Sequence, residues 1–357
     1  MNVGGEFYYD SRWRLETPAL DTSGMLFLNG GKACLILISK YLRAQGINRV
    51  LLPAYICPTI INTLEKCGIL CGYYRITPQL TIDLDDLVFK AESYEAVYFI
   101  NYFGFPHSTT EHRLLQELQR SGRLLVEDNA QAGFCGEFIG DFVFNSMRKL
   151  CPYDGGYLLT QLDVQPHLAA HNEQPNRRLP LIRDYRLRLT NYLYRGIGDR
   201  EELQSLYDLA EYYYETDMLI TGDAEERWQI EHHDWQGIRQ KRRENYLYLL
   251  SLLTALPEVK PLYPELPESV MPFGLPVIVS GVSRDWLFEA LGKAGIGLTI
   301  HWGALLQDPR LNLDTTAAAL ASTMMTLVID QRATLKQLDY QWLMLHQSIK
   351  EFKARRN

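Results

Sequence analysis

The segment RLLVEDNAQAG, residues 123–133, decides the fold, because a short apolar run in it stops abruptly at a polar turn. A run of this length is typical of a buried strand. Asp128 follows the apolar residues directly, so we expect its side chain at the carboxyl end of a strand, where parallel sheets open onto ligand clefts. Taken alone, an aspartate at such a place is ordinarily a helix cap or a turn residue.

The first 240 residues repeat this pattern, with helices between the strands. Further strands are predicted at 49–55, 68–76, 95–104, 139–146 and 155–160, and helices at 31–46, 58–68 and 110–122. Short apolar runs separated by helices predict an α/β fold with a mostly parallel central sheet and helices on both faces. Residues 161–235 lose the alternation and predict a helical excursion of unclear role, whose arginines form a solvated face.

The last third of the chain predicts a different arrangement. A long helix at 235–256 links it to the rest, and it is followed by strands at 272–280, 297–302 and 323–330 and by helices at 283–296 and 334–352. This pattern predicts a small α+β domain. We therefore divide the chain into a large domain, residues 1–240, and a small C-terminal domain, residues 241–357.

Composition excludes several classes of protein. The chain has 357 residues and a net charge of −7, whereas nucleic-acid binding requires a basic face. No apolar run approaches the length of a membrane span, and the N-terminus shows no apolar region of a secretion signal. The six cysteines have no zinc-binding spacing, so no metal is predicted. We expect a cytoplasmic protein with reduced thiols.

Lys149 lies in FNSMRKLCPYDGG, residues 144–156, between a predicted strand end and a Gly-Gly turn. A lysine placed there is costly unless it is paired or used covalently. A lysine that forms a Schiff base with pyridoxal 5'-phosphate (PLP) needs an acidic partner for the pyridinium nitrogen, and Asp128 can serve. NGGKA, residues 29–33, leads into a helix, and its first amides suit a phosphate. Ser146 adds a hydroxyl donor close to the lysine.

In this order, the segments resemble the fold-type I PLP-dependent enzymes, and within them the DegT-like sugar aminotransferase family. The resemblance covers most of residues 24–160 and 236–350, and the chain is an atypical member. LLVEDNAQAG is the most specific match. The other matching segments are NGGKACLIL (29–37), VLLPAYICPTIINTL (50–64), INYFGFP (100–106) and FNSMRKLCPYDGG.

The resemblance implies a role for each matching residue. Lys149 holds PLP as a Schiff base and then carries the proton, and Asp128 pairs with the pyridinium nitrogen. Gln131 contacts the cofactor ring or its hydroxyl, and Ser146 donates to the phosphate or on the lysine side. The remaining contacts to the phosphate come from backbone amides, those of Gly31, Lys32 and Ala33.

Three departures from the family pattern stand out. The family's ring-stacking aromatic aligns with Cys57, so Tyr55 takes over the stacking or the stacking is weaker. Ser146 precedes the lysine by three residues instead of five. Arg148 has no counterpart, and both a salt-bridged arginine and a second phosphate donor fit it. The family segment that reaches the neighbouring subunit's site is not recognisable in residues 161–235, although the resemblance still implies a homodimer.

The function implied is a PLP-dependent aminotransferase that moves an amino group from an amino-acid donor to a keto acceptor, with a keto-sugar nucleotide as one candidate. PLP also supports lyase or dehydratase chemistry on a related substrate, and a degenerate, non-catalytic PLP-fold protein is the third alternative. Two lesser candidates are the pair His301-Trp302, which ends a predicted strand that could face the cleft, and the pair Gln331-Arg332. For these the sequence favours a packed histidine and a surface turn.

Overall fold

The computed structural model of the protein describes residues 1–134, 136–168, 175–310 and 315–355. The strands are β1 (Val3–Gly4), β2 (Met25–Leu28), β3 (Arg49–Pro53), β4 (Leu70–Tyr74), β5 (Ala96–Ile100), β6 (Leu124–Asp128), β7 (Phe142–Phe144), β8 (Gly156–Thr160), β9 (Val259–Pro261), β10 (Leu275–Val279), β11 (Ile296–Gly297) and β12 (Met324–Leu327). The helices are α1 (Gly31–Ala44), α2 (Pro58–Lys66), α3 (Leu84–Ala91), α4 (Thr109–Arg120), α5 (Arg178–Arg195), α6 (Arg200–Thr216), α7 (Ala224–Glu231), α8 (Trp235–Leu253), α9 (Arg284–Lys293), α10 (Thr315–Thr323) and α11 (Leu335–Ala354).

A seven-stranded sheet forms the centre of the molecule, in the order β2-β8-β7-β6-β5-β3-β4. β8 pairs antiparallel with both of its neighbours, and all the other pairs are parallel. The predicted mostly parallel sheet is therefore confirmed. The edge strand β2 was not predicted, although its apolar run lies directly before the Gly-Gly turn. The carboxyl ends of β6 and β7 lie at the same edge of the sheet, and the candidate site lies at this edge.

The centre of the sheet is buried because its inner strands and the helix α1 are mostly apolar. All five residues of β5 are buried, as expected of a strand covered on both faces. Ten of the fourteen residues of α1 are buried, so this helix is enclosed rather than amphipathic. It ends at Ala44 with Gln45 as its C-cap, so the C-cap predicted at Gly46 was one residue off. Gly46 follows with a φ of 79°, in the left-handed region that glycine adopts just after helix ends.

The helical excursion predicted at 161–235 is present as α5, α6 and α7. The prediction of a solvated arginine face was wrong for Arg178 and Arg186, which are both buried. Both guanidinium groups form ion pairs with the buried Asp154. Sequence pattern did not reveal this, because the acidic partner lies outside the excursion, in the same segment as Lys149.

The C-terminal part is built on a three-stranded antiparallel sheet, β12-β10-β9, with α9 and α11 packed together. β1 pairs in parallel with β11, so the first residues of the chain join this part. The division predicted at residue 240 falls inside α8. The strand predicted at 297–302 was wrong in length, because only Thr299 continues the pairing, through a single bridge to Thr326. None of the described helices is both long and apolar enough to cross a bilayer.

Candidate active site

A cavity of about 90 Å³ lies where the carboxyl ends of β6 and β7 meet the first turn of α1. Six of the eight predicted site residues line it, namely Gly31, Lys32, Asp128, Gln131, Ser146 and Lys149. These residues come from three separate segments of the sequence. The topology of the sheet brings them together, since parallel strands end at the same edge.

Lys149 ends a short 3₁₀ turn that follows β7, and its side chain is partly buried. Within the described residues its Nζ makes no hydrogen bond and no ion pair. Burial lowers the pKa of Lys149 and the neighbouring Arg148 lowers it further, whereas the Asp128 carboxylate opposes the shift. A neutral amine is the nucleophilic form of lysine, so this environment favours covalent use of the side chain.

Asp128 is the last residue of β6 and is buried at the cavity wall. Its Oδ2 accepts a hydrogen bond of 2.5 Å from the Tyr98 hydroxyl, and its Oδ1 accepts one of 2.8 Å from the amide of Ala130. Burial raises the pKa of Asp128, against these hydrogen bonds and the charge of Lys149. Two fixed donors therefore hold the carboxyl group in one orientation.

Gln131 presents an unpaired donor. Its Oε1 accepts a hydrogen bond of 2.8 Å from the amide of Phe103, which fixes how the side-chain amide is turned. Its Nε2 is buried and has no partner among the described residues. A buried amide nitrogen without an acceptor is costly, so a ligand with an acceptor at this point would be favoured.

The first turn of α1 offers an anion site. Gly30 precedes the helix with a φ of 132°, which a residue with a side chain rarely adopts. The first bond of the helix runs from Cys34 to Gly30, so the amides of residues 31–33 have no acceptor in the described structure. A Cβ on Gly31 would lie 3.2 Å from Cβ of Ser146, so glycine keeps this approach open. The Ser146 hydroxyl likewise has no partner within the described chain.

The side chain of Lys32 is committed elsewhere. Its Nζ donates to the carbonyl oxygens of Tyr214 (2.6 Å), Glu215 (2.9 Å) and Asp217 (2.9 Å) at the end of α6. Only the Lys32 amide is left for a ligand. Ala33 lines a smaller neighbouring cavity instead of this one.

The aromatic wall differs from the prediction. Tyr55 does not line the cavity, because its fully buried ring packs beneath the wall, 5.1 Å from the ring of Trp302. Trp302 lines the cavity, as do Cys57 and Tyr214. Trp302 comes from the C-terminal part and Tyr214 from the helical excursion. The sequence signal for Trp302 was its position, with His301, at the end of a predicted strand that could face the cleft.

Arg148 joins the cavity to a buried chain of charges. Its guanidinium lies 4.0 Å above the ring of Tyr214, and its Nη1 is 3.4 Å from Glu211. Glu211 also pairs with Arg178 at 2.6 Å, and Arg178 pairs with Asp154. Arg148 Nε has no partner among the described residues. Both interpretations of Arg148 therefore keep support, since it is salt-bridged and also lines the cavity.

No protein-family model matches the sequence, and no curated protein matches it significantly. Solved structures do match. A provisionally assigned sugar aminotransferase from Streptococcus pneumoniae, Spr1654 in its PMP form, is 16% identical with a TM-score of 0.68, over 99% of this chain and 100% of that one. Helicobacter pylori PseC, an aminotransferase of pseudoaminic acid biosynthesis, is 14% identical with a TM-score of 0.64, over 92% and 87%.

The GDP-4-keto-6-deoxymannose-3-dehydratase ColD is 17% identical with a TM-score of 0.63, over 90% of this chain and 88% of that one. At these identities the likeness establishes the fold. The chain has the fold of the fold-type I PLP-dependent transferases, as predicted, over nearly its whole length.

Proposed function

We propose that the protein is a PLP-dependent aminotransferase of the DegT-like type, which moves an amino group from an amino-acid donor to a keto acceptor. The carrying observation is the unpaired amine of Lys149, with a lowered pKa, in the same cavity as the buried carboxyl group of Asp128. The acceptor class we favour is a keto-sugar nucleotide, because sugar aminotransferases share the fold.

The lining residues fit PLP group by group. Lys149 Nζ suits the aldehyde, which it would bond with loss of one water. Asp128 suits the ring nitrogen, and the unpaired Nε2 of Gln131 suits the ring hydroxyl. The open first turn of α1 and the Ser146 hydroxyl suit the phosphate. When bound, PLP supplies a conjugated ring that takes up the electron pair released at the substrate's α-carbon.

The chain's own residues then have defined tasks. The carboxylate of Asp128 keeps a proton on the ring nitrogen, because a negative charge at that point favours the protonated form. With PLP and substrate bound, the amine of Lys149 would accept the proton from the substrate's α-carbon as general base and later donate a proton as general acid. Its lowered pKa suits the first role, because a general base must be neutral at working pH.

A PLP-dependent dehydratase or lyase is the second candidate, because a dehydratase has the same fold. A degenerate, non-catalytic protein is disfavoured by the grouping of Lys149, Asp128 and Gln131 around one cavity. The resemblance extends the proposal to a cytoplasmic homodimer with small-molecule partners, which sedimentation of the purified protein would test. A monomer at micromolar concentration would contradict that part.

Titration of the PLP-loaded protein with single amino acids separates the two enzyme hypotheses. An aminotransferase should convert its visible band in the presence of at least one amino acid and release a stoichiometric amount of the matching keto acid. Lys149→Arg should abolish both. A loaded protein that releases no keto acid with any amino acid would contradict transamination and favour the dehydratase.

A further inference from the structure

A second cavity, of about 220 Å³, lies on the other side of Lys149. Lys149 and Arg148 line both cavities. The remaining walls come from the N-terminal residues 4–7, from Arg242 of α8, and from three C-terminal segments, which lie within 273–274, 297–301 and 326–332. The proposed cofactor contacts lie in the first cavity, so they leave this space unused. It is nonetheless directly accessible to the amine of Lys149.

Arg242 of α8 is the notable wall residue, because it is buried without a counterion. Only 1% of its surface is exposed. Its Nε donates to Oε1 of Gln331 at 2.8 Å, and its Nη1 donates to the carbonyl oxygens of Pro272 (3.2 Å) and Phe273 (2.9 Å). Its Nη2 donates to none of the described residues, and none of their carboxylates lies within ion-pair distance.

An unpaired buried cation is unfavourable, and an incoming anion would relieve the cost. Burial lowers the pKa of Arg242 to about 10, because desolvation disfavours its charged form. The charge of Asp330 opposes this shift only in part. Both carboxylate oxygens of Asp330 are bound by Arg332, at 3.0 and 2.8 Å. Gln331 and Arg332 are thus buried structural residues, and the surface turn predicted for them was wrong.

The charges around the cavity leave a positive surplus. Its walls carry three arginines, Arg148, Arg242 and Arg332, against the two acids Glu6 and Asp330, and Lys149 adds a fourth positive charge only while its amine is protonated. Glu6 accepts a hydrogen bond from Tyr207 at 2.9 Å and lies at the exposed end. His301 adds no charge at neutral pH, because burial and the charge of Lys149 lower its pKa to about 3. The cavity is therefore suited to an anionic group.

We propose that the second cavity binds the α-carboxylate of the amino donor and that Nη2 of Arg242 donates to it. This inference rests on the proposed function. The first turn of α1, which suits the cofactor phosphate, lies in the first cavity, so two anions would be held on opposite sides of Lys149. A donor whose carboxylate lies in the second cavity would present its amine to the lysine between them. Guanidinium groups pair well with carboxylates, and here only one nitrogen remains free.

The test compares each active amino acid with its decarboxylated amine, in the loaded wild type, Arg242→Gln and the control Arg243→Gln. Arg243 lies on the same helix and also donates to backbone carbonyls, but it does not line the cavity. The dissociation constant comes from the spectral titration. Arg242→Gln should weaken the amino acid about 10- to 100-fold, since hydrogen bonds to charged groups are lost, and leave the amine nearly unchanged. Arg243→Gln should change neither.

If Arg242→Gln weakens binding of the amino acid and of the amine equally, or weakens neither relative to Arg243→Gln, the inference is overturned. The proposed function would still stand in that case, because the visible band of the loaded protein supports it independently. Calorimetry of acetate and inorganic phosphate with the cofactor-free protein gives a readout without turnover. Saturable acetate binding that Arg242→Gln removes would support the site. Phosphate binding that is tighter than acetate binding and that Arg242→Gln also removes would overturn the carboxylate assignment in favour of a phosphate-bearing substrate. If Arg242→Gln does not fold, the same comparison is made with Arg242→Lys, together with acetate binding to the wild type. A wild-type protein that does not bind acetate would also overturn the inference.

Discussion

Replacing Asp154 with asparagine should strongly destabilise the fold, because the carboxylate neutralises two buried guanidinium groups. Its Oδ2 accepts from Arg178 at 2.6 Å and its Oδ1 from Arg186 at 2.8 Å. The substituted amide would keep one acceptor and turn an NH₂ group toward the second cation. Removing one partner from a buried pair costs about 3–5 kcal/mol, a large part of the roughly 5–15 kcal/mol that stabilises a typical domain.

Asp184→Asn is the matched control. Asp184 pairs with Arg188 at 3.0 Å on the surface of α5, where such a pair contributes only about 0.3–0.5 kcal/mol. Urea unfolding of the two variants, followed by tryptophan fluorescence and circular dichroism, compares the same chemical change in buried and exposed positions. A cost for Asp154→Asn below about 1 kcal/mol, or equal to that of the control, would refute the reasoning.

The pH dependence follows from the same contacts. Although burial opposes it, the charges of Arg186 and Arg178 hold the pKa of Asp154 well below its usual range. A carboxyl group with a depressed folded-state pKa contributes stability above its unfolded pKa of about 3.9, and loses it as the pH falls below that value. The difference between wild type and Asp154→Asn should therefore stay constant from about pH 6 to 8 and shrink only below about pH 4.

Two further substitutions separate stability from function. Asp128→Asn should leave the free energy of unfolding equal or higher, because a buried charge disappears, while turnover falls at least about 100-fold. The same variant should lower the pKa of Lys149 in a pH–rate profile. Unchanged turnover would contradict the role of Asp128. Lys32→Met should cost roughly 1.5–3 kcal/mol in urea unfolding, since three carbonyls of α6 lose a charged donor. The dissociation constant of PLP should be the same in this variant as in the wild type, because only the Lys32 amide faces the site. A large rise in that constant would show that the Lys32 side chain binds the phosphate.

The sequence alone was sufficient to predict the positions of the site residues that lie at strand ends. Asp128, Gln131 and Lys149 are placed by local patterns, because an apolar strand that stops at a polar residue indicates the sheet edge by itself. The resemblance then supplied their proposed roles. The order of the predicted helices and strands followed for the same reason, but β2, α3 and α10 were not predicted, and the strand that includes Thr299 proved to depend on one bridge.

The rest of the site depends on contacts between distant segments. Trp302 reaches the cavity from the C-terminal part, and Tyr214 from a helical excursion whose packing has no sequence signature. The sequence does not show which groups the side chain of Lys32 contacts, and in the structure it donates to three carbonyl oxygens at the end of α6. Tyr55 has the right chemistry for ring stacking, but the chain after β3 turns its ring into the core. The periodicity of apolar residues along the sequence does not show contacts between segments that are distant in the sequence.

Reductive trapping tests the central claim most directly. Purified protein loaded with PLP and reduced with borohydride should carry one pyridoxyl phosphate group, which peptide mass spectrometry should place on Lys149. Lys149→Arg should carry none, whereas Lys32→Met should be labelled like the wild type. Label on another lysine, or no label on folded wild-type protein after loading, would contradict the assignment of Lys149 as the cofactor-binding residue.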